Sequence, residues 1–174
     1  MKKPIFLIFV GVPGSGKTTL SKIIASKYSF SRVSTDEIKV ELEDQCKKYD
    51  ISELFEIQRQ KFVELMNSKV NIISDSNSDK VCFRQKLVEL AEEFNYDYSI
   101  IYLKNNYHEL VKRVRLRKNS LDKSKRFVSE EILKKYIYDL EVPSNACVVD
   151  TSSDVQECVR KIILYLEEKY GKFK

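Results

Sequence analysis

Three of the four glycines in this chain fall within six residues: Gly11, Gly14 and Gly16, in the run Gly11-Val12-Pro13-Gly14-Ser15-Gly16-Lys17-Thr18. Glycine loses more backbone freedom on folding than any other residue, so the clustering marks a backbone shape that side chains would obstruct. The run matches G-x-x-x-x-G-K-[ST], in which successive N–H groups curl around phosphate oxygens. In that pattern Lys17 reaches the β- and γ-phosphates of a nucleotide and the Thr18 hydroxyl holds Mg2+. The flanks supply the setting the motif needs. Residues 4–10 form a continuous apolar run, as in a parallel strand covered on both faces. After the glycines, Leu20, Ile23, Ile24 and Lys27 recur at helical spacing.

The same alternation continues to the end of the chain. Strand-like runs occupy about 4–10, 30–33, 70–74, 97–103 and 146–149. Helical patterns occupy about 17–28, 36–48, 51–68, 79–94, 106–118, 129–139 and 154–170. This predicts an α/β fold of the P-loop NTPase type: a three-layer α/β/α sandwich on a five-stranded parallel sheet. A length of 174 residues fits one domain over 1–174. No apolar run is long enough to span a bilayer. Met1-Lys2-Lys3 resembles the start of a secretory leader, but the apolar run opens into the glycine loop and not a cleavage site. Cys46, Cys82, Cys147 and Cys158 are scattered without a Cys-x-x-Cys pair, as expected of reduced structural thiols in a cytoplasmic protein. His108, the single histidine, reads as a helix-surface residue, and the dispersed aromatics read as packing.

Ligands of such sheets collect at the carboxyl ends of the strands, and the residues there carry chemistry. The second strand leads into Ser34-Thr35-Asp36-Glu37. Asp36 has two readings from the residues alone: a helix N-cap, or the general base that orients and deprotonates a hydroxyl nucleophile in phosphoryl transfer. The third strand ends on Asp75, which reads either as a carboxylate supporting Mg2+ or as the opening of an Asx turn. Residues 104–126 hold nine Lys/Arg against two acidic residues, a local charge of +7 that leaves the rest of the chain at −2. Within this stretch Arg113 and Arg117 share one helix face. They fit either a clamp on transferring phosphate or a solvated basic helix; with the glycine loop upstream, a phosphate-facing segment is expected.

In order and spacing, most of residues 1–143 resemble the P-loop kinase module of phage-type polynucleotide 5′-hydroxyl kinases, within the wider group of zeta-toxin-like and small-molecule kinases. The resemblance lies in the glycine loop, in Ser34-Thr35-Asp36-Glu37-Ile38-Lys39, in Ile72-Ile73-Ser74-Asp75-Ser76-Asn77, and in Glu109 to Arg113 followed by Arg117. It implies Asp36 as general base and Lys39, where the family has arginine, as the holder of an acceptor phosphate. Asp75 would support the metal or the acceptor. Lys17, Arg113 and Arg117 would stabilise the transferring phosphate, within a helical lid at about 106–139. The segment from Asp150 resembles the adenine-side loop of gluconate- and adenylylsulfate-kinase-like proteins. The implied nucleotide contacts are then Gly11, Pro13, Gly14, Ser15, Gly16, Lys17, Thr18, Thr19, Arg117 and Thr151. The expected activity is ATP- and Mg2+-dependent transfer of the γ-phosphate to a hydroxyl, with a polynucleotide 5′ end first among acceptors. A small metabolite or nucleotide sugar is the alternative acceptor, and a P-loop ATPase or nucleotide-dependent switch the alternative class.

Overall fold

A computed structural model describes residues 3–76, 78–124 and 126–172. Strands β1 (Ile5–Val10), β2 (Phe30–Ser34), β3 (Asn71–Asp75), β4 (Asp97–Lys104) and β5 (Cys147–Asp150) form one sheet. Their order is β2-β3-β1-β4-β5, and every pairing is parallel. The helices are α1 (Lys17–Tyr28), α2 (Thr35–Asp44), α3 (Ile51–Asn67), α4 (Val81–Glu93), α5 (Tyr107–Leu116), α6 (Glu130–Asp139) and α7 (Val155–Tyr170). The expected fold class, with five parallel strands between helical layers, is what the chain adopts.

β1 is central because all six of its residues are apolar and buried. Side chains alternate across a strand, so Ile5, Leu7 and Phe9 join the core packed by α1 and α7, while Phe6, Ile8 and Val10 join the core of α2, α3 and α4. The Phe6 ring meets fully buried Phe62 of α3 edge-on, with centroids 5.0 Å apart. Losing a side chain such as Phe62 would cost about 3–5 kcal/mol. A third cluster joins Val12 of the glycine loop to Leu110, Val111 and Val114 of α5 and Leu133 of α6. The glycine loop, α5 and α6 therefore share one apolar core.

Two helix ends differ from expectation. α2 stops at Asp44 rather than 48, because Cys46 takes a left-handed φ of 55° and the Lys47 amide turns back to the Leu42 carbonyl at 3.0 Å. α5 stops at Leu116, and Arg117 opens a 3-10 turn, Arg117–Asn119. From β1 the chain crosses β3 to reach β2, whereas from β3 it crosses β1 to reach β4. The loop after β1 thus lies where the strand order changes direction, the place where open α/β sheets hold ligands.

Candidate active site

Gly16 has φ 98° and ψ 6°, and a Cβ there would meet nothing nearer than 3.9 Å. Its glycine is required by backbone conformation and not by space. At Gly11 space decides: a Cβ would sit 2.5 Å from Ser15 Oγ and 2.9 Å from the Leu103 carbonyl. With both glycines in place, α1 begins at the loop with no side chain capping it. By contrast α3, α5, α6 and α7 are capped by Asp50, Asn106, Ser129 and Asp154, and the Val81 amide of α4 donates to Glu141 at 2.5 Å. Among the described residues only α1 and α2 begin with neither arrangement, and both border the same small cavity. Free first-turn amides there suit an anion.

That cavity, about 150 Å³, is lined by Pro13 to Thr18, Thr35, Asp36, Lys39, Asp75, Ser76, Arg117, Val128 and Tyr136. Lys17 Nζ donates to the Gly11 carbonyl and, at 3.3 Å, to that of Val12. Burial pushes the Lys17 ammonium below the usual lysine range; Asp75, Asp36 and Asp79 pull it back up, while Arg117 adds to the fall. Arg117 is likewise lowered by burial, against Asp36 and Asp75. Lys17 and Arg117 thus both sense Asp36 and Asp75, and all four line this cavity.

Asp36 lies in the first turn of α2, whose N-cap is Ser34. The capping reading of Asp36 is therefore set aside. Its half-exposed carboxylate accepts from Lys39 Nζ at 3.3 Å. Asp75 is nearly buried, and three donors converge on its Oδ2: Ser21 Oγ at 3.0 Å, Arg32 Nε at 3.1 Å and Arg32 Nη2 at 2.8 Å. Among the described residues none donates to Oδ1. Asn77, part of the same sequence stretch, lies outside the described residues.

A larger groove of about 430 Å³ adjoins on the other side of the glycine loop. It shares Gly14, Gly16, Thr18 and Arg117 with the first cavity and adds Thr19, Arg113, Thr151 and Ser153. Arg113 and Arg117 do face the same region, but in different states. Arg113 donates to the Thr151 carbonyl at 2.7 Å and the Gly14 carbonyl at 3.3 Å, tying α5 to the glycine loop and to the loop after β5. Thr151 also accepts from Asn105 Nδ2 at 3.0 Å. Arg117 lines both spaces.

Sequence reading missed several residues here. Arg32 links Asp75 to Glu37, which also pairs with Lys22 at 3.2 Å. Buried Arg84 donates to the carbonyls of Ser78, Asp79 and Glu141, fixing the loop after β3 against the end of α6. Asp79 and Tyr136 were not singled out; burial raises the Tyr136 phenol, and Asp79 and Asp36 add to the rise. The basic segment is also less uniform than its sum suggests. Lys123 pairs with Asp44 at 2.6 Å and Arg126 with Glu43 at 2.5 Å, both reaching the end of α2, while Arg115 pairs with Glu130 at 3.0 Å.

A sequence profile of the AAA domain family matches residues 6–143. The chain belongs to this family. Among solved structures, this AAA-domain chain is similar to the gluconokinase of Sinorhizobium meliloti 1021, with a TM-score of 0.69 and 20% identity over 98% of this chain and 95% of that one. It is also similar to the Mycobacterium tuberculosis APS kinase CysC, solved with AMPPNP and APS (TM-score 0.71, 13% identity, 96% of this chain and 99% of that one). A chain of the Pnkp1/Rnl/Hen1 RNA repair complex matches at a TM-score of 0.66 and 22% identity, over 80% of this chain but 45% of that one. The fold of this AAA-domain chain is thus that of the P-loop kinases. No helix among the described residues is long and apolar enough to cross a membrane.

Proposed function

We propose that this chain is an ATP- and Mg2+-dependent kinase that transfers the γ-phosphate to a hydroxyl acceptor. The observation that carries the reading is the meeting of Lys17, Asp36, Asp75 and Arg117 around one cavity at the start of an uncapped helix. ATP fits the observed chemistry: Ser15 Oγ is buried in the glycine loop without a partner, and the first-turn amides of α1 suit phosphate oxygens. In this reading the nucleoside occupies the Arg113–Thr151 groove, beside Thr19, and the phosphates lie along Gly11 to Thr18. Thr18 and Asp75 line the same cavity and carry hard oxygen donors, fit to hold Mg2+ directly or through water. That ion, when bound, would neutralise charge on the phosphate oxygens. Lys17 and Arg117 stabilise charge on the transferring group, Arg113 fixes the lid against the glycine loop, and Asp36 orients the acceptor hydroxyl and takes its proton.

For the acceptor we favour a polynucleotide 5′-hydroxyl. The support is Lys39, placed beside Asp36 to meet an acceptor phosphate, together with the fold likeness to a chain of the RNA repair complex. A small hydroxylated metabolite is the second reading, and one observation favours it. The ion pairs from the lid to Glu43 and Asp44 draw it over α2 and spend cations that a nucleic acid strand would otherwise meet. The test offers γ-labelled ATP and Mg2+ with 5′-hydroxyl DNA, 5′-hydroxyl RNA and a panel of sugar acids and nucleosides. Label on oligonucleotides supports the favoured acceptor; label only on metabolites replaces it with the second. Phosphate release with no labelled acceptor would point to an ATPase or nucleotide-dependent switch.

A further inference from the structure

A cavity of about 420 Å³ lies between α3 and α4, outside the phosphotransfer site. Its volume is that of a small-molecule pocket. Phe55 of α3 and Phe83 of α4 pack against each other in its wall, with ring centroids 5.1 Å apart and planes inclined by 34°, so that each ring covers part of the other's face. Phe55 remains more than one-third exposed, although an apolar ring gains by being covered. Deeper in the same wall, Gln58 is 4% exposed, and its Nε2 is buried without a hydrogen-bond partner. A buried amide donor left unpaired is unfavourable unless something else uses it. Ser76 lines both this cavity and the one holding Asp36 and Lys17. It sits on a run of hydroxyls, with Ser74 Oγ to Ser76 Oγ at 2.7 Å and Ser76 Oγ to Ser78 Oγ at 3.5 Å. The two spaces therefore share a polar wall at the end of β3.

We infer that the α3/α4 cavity binds the nucleobase of the acceptor's terminal nucleoside, stacked on the Phe55/Phe83 wall and accepting a hydrogen bond from Gln58 Nε2. That this nucleoside belongs to a phosphate acceptor rests on the kinase reading above. The chemistry of the cavity calls for a planar ring with a polar edge. A planar base would cover the exposed face of Phe55 and pair the Gln58 donor at once, whereas a purely apolar ligand would leave that donor unpaired. A base held there would carry its ribose toward Ser76, and so toward the cavity where Asp36 stands.

Two variants test this in the intact chain. Phe55→Ala removes an exposed stacking face, and Gln58→Leu removes the unpaired donor while keeping the volume. Binding of the four ribonucleosides is measured by calorimetry with the nucleotide site filled by AMPPNP and Mg2+. Wild type binds at least one of them, and Phe55→Ala weakens that binding about tenfold or more, as for other base–aromatic stacks. Gln58→Leu weakens it too while leaving the melting temperature unchanged or higher. A purely structural glutamine would show the reverse, with a lowered melting temperature and unchanged binding. Nucleoside binding that is absent, or equal in all three proteins, overturns the inference. A second arm compares a 5′-hydroxyl trinucleotide with one whose terminal residue is abasic. The abasic acceptor should show a raised KM in wild type and no further rise in Phe55→Ala; equal KM values in wild type would also overturn the inference. If nucleosides bind through Phe55 and Gln58 but no oligonucleotide is phosphorylated, the polynucleotide reading falls and the nucleobase cavity stands.

Discussion

Replacing Arg32 by methionine should be the most damaging single change outside the apolar core. The guanidinium donates twice to Asp75 Oδ2, at 3.1 and 2.8 Å, and once to Glu37 Oε2, at 2.7 Å. The side chains of Arg32 and Asp75 are 9% and 3% exposed. Burial works against the charge on Arg32, but Glu37 and Asp75 more than offset it, so its pKa is raised. Hydrogen bonds to charged groups contribute about 1.5–3 kcal/mol each, and breaking a buried pair from one side costs about 3–5 kcal/mol. The Glu37 contact, with that carboxylate 38% exposed, adds less than about 1 kcal/mol. The sum is about 4 kcal/mol, a large share of the roughly 5–15 kcal/mol that holds such a domain together. For a chain of this length it corresponds to a melting temperature lower by about 8–16 °C. Urea titration and thermal melts at neutral pH measure it. Most of the cost comes from leaving Asp75 charged and unpaired, so Arg32→Met with Asp75→Asn should be more stable than Arg32→Met alone. Both single variants should also lose phosphoryl transfer. A loss below about 1 kcal/mol for Arg32→Met, or a double variant no more stable than that single one, would refute the reasoning.

Asp36→Asn should lower transfer by about 10²–10⁴-fold while AMPPNP binding, followed by calorimetry, is retained; an active variant would remove Asp36 as the base. Lys17→Met should abolish transfer and yet stabilise the unliganded protein at neutral pH. Burial holds the folded Lys17 pKa below its unfolded value, so the unfolded chain binds more protons and the native penalty fades as pH rises between the two values. Melts of both proteins from neutral pH toward the lysine range should therefore converge, and a variant less stable than wild type at neutral pH would reverse that sign. Asp44→Asn with Glu43→Gln removes two exposed ion pairs. It should leave the melting temperature nearly unchanged while amide exchange across 117–129 quickens and the KM for the acceptor shifts.

The fold was legible because its strongest signals are local. Six apolar residues followed by a glycine loop specify a central strand, and the period of two in Ile5-Phe6-Leu7-Ile8-Phe9-Val10 divides them between the two cores. The end of α2 was not legible, since Cys46 carries no sequence mark of the left-handed φ it adopts. Of the site, the glycine loop and the carboxylates at strand ends could be read because position along one strand is a local property. Arg32 could not, because its meaning depends on β2 lying beside β3 with Ser34 opposite Asp75. Within Phe30-Ser31-Arg32-Val33-Ser34 it looks like a solvent-facing residue on an edge strand. The basic segment failed differently. Its charge was read as a sum, whereas the structure assigns Lys123, Arg126 and Arg115 to separate acidic partners and places Arg117 on the cavity beside the glycine loop.

One regularity links what was legible to what was not. Among the described residues, the buried side-chain atoms without a hydrogen bond are Ser15 Oγ, Gln58 Nε2, Asp79 Oδ1 and Arg126 Nε. Ser15 is in the glycine loop, and Gln58 lines the α3/α4 cavity. Asp79 acts electrostatically on Lys17 and Tyr136, and Arg126 pairs with Glu43 of α2. Each such atom costs about 1–3 kcal/mol in a fold that otherwise satisfies its polar groups. The two helices without a side-chain or distant cap border the same cavity. Local sequence rules assume that each polar group finds its partner within the fold. Here they fail at the glycine loop and at the α3/α4 cavity, the two places where the readings above put ligands.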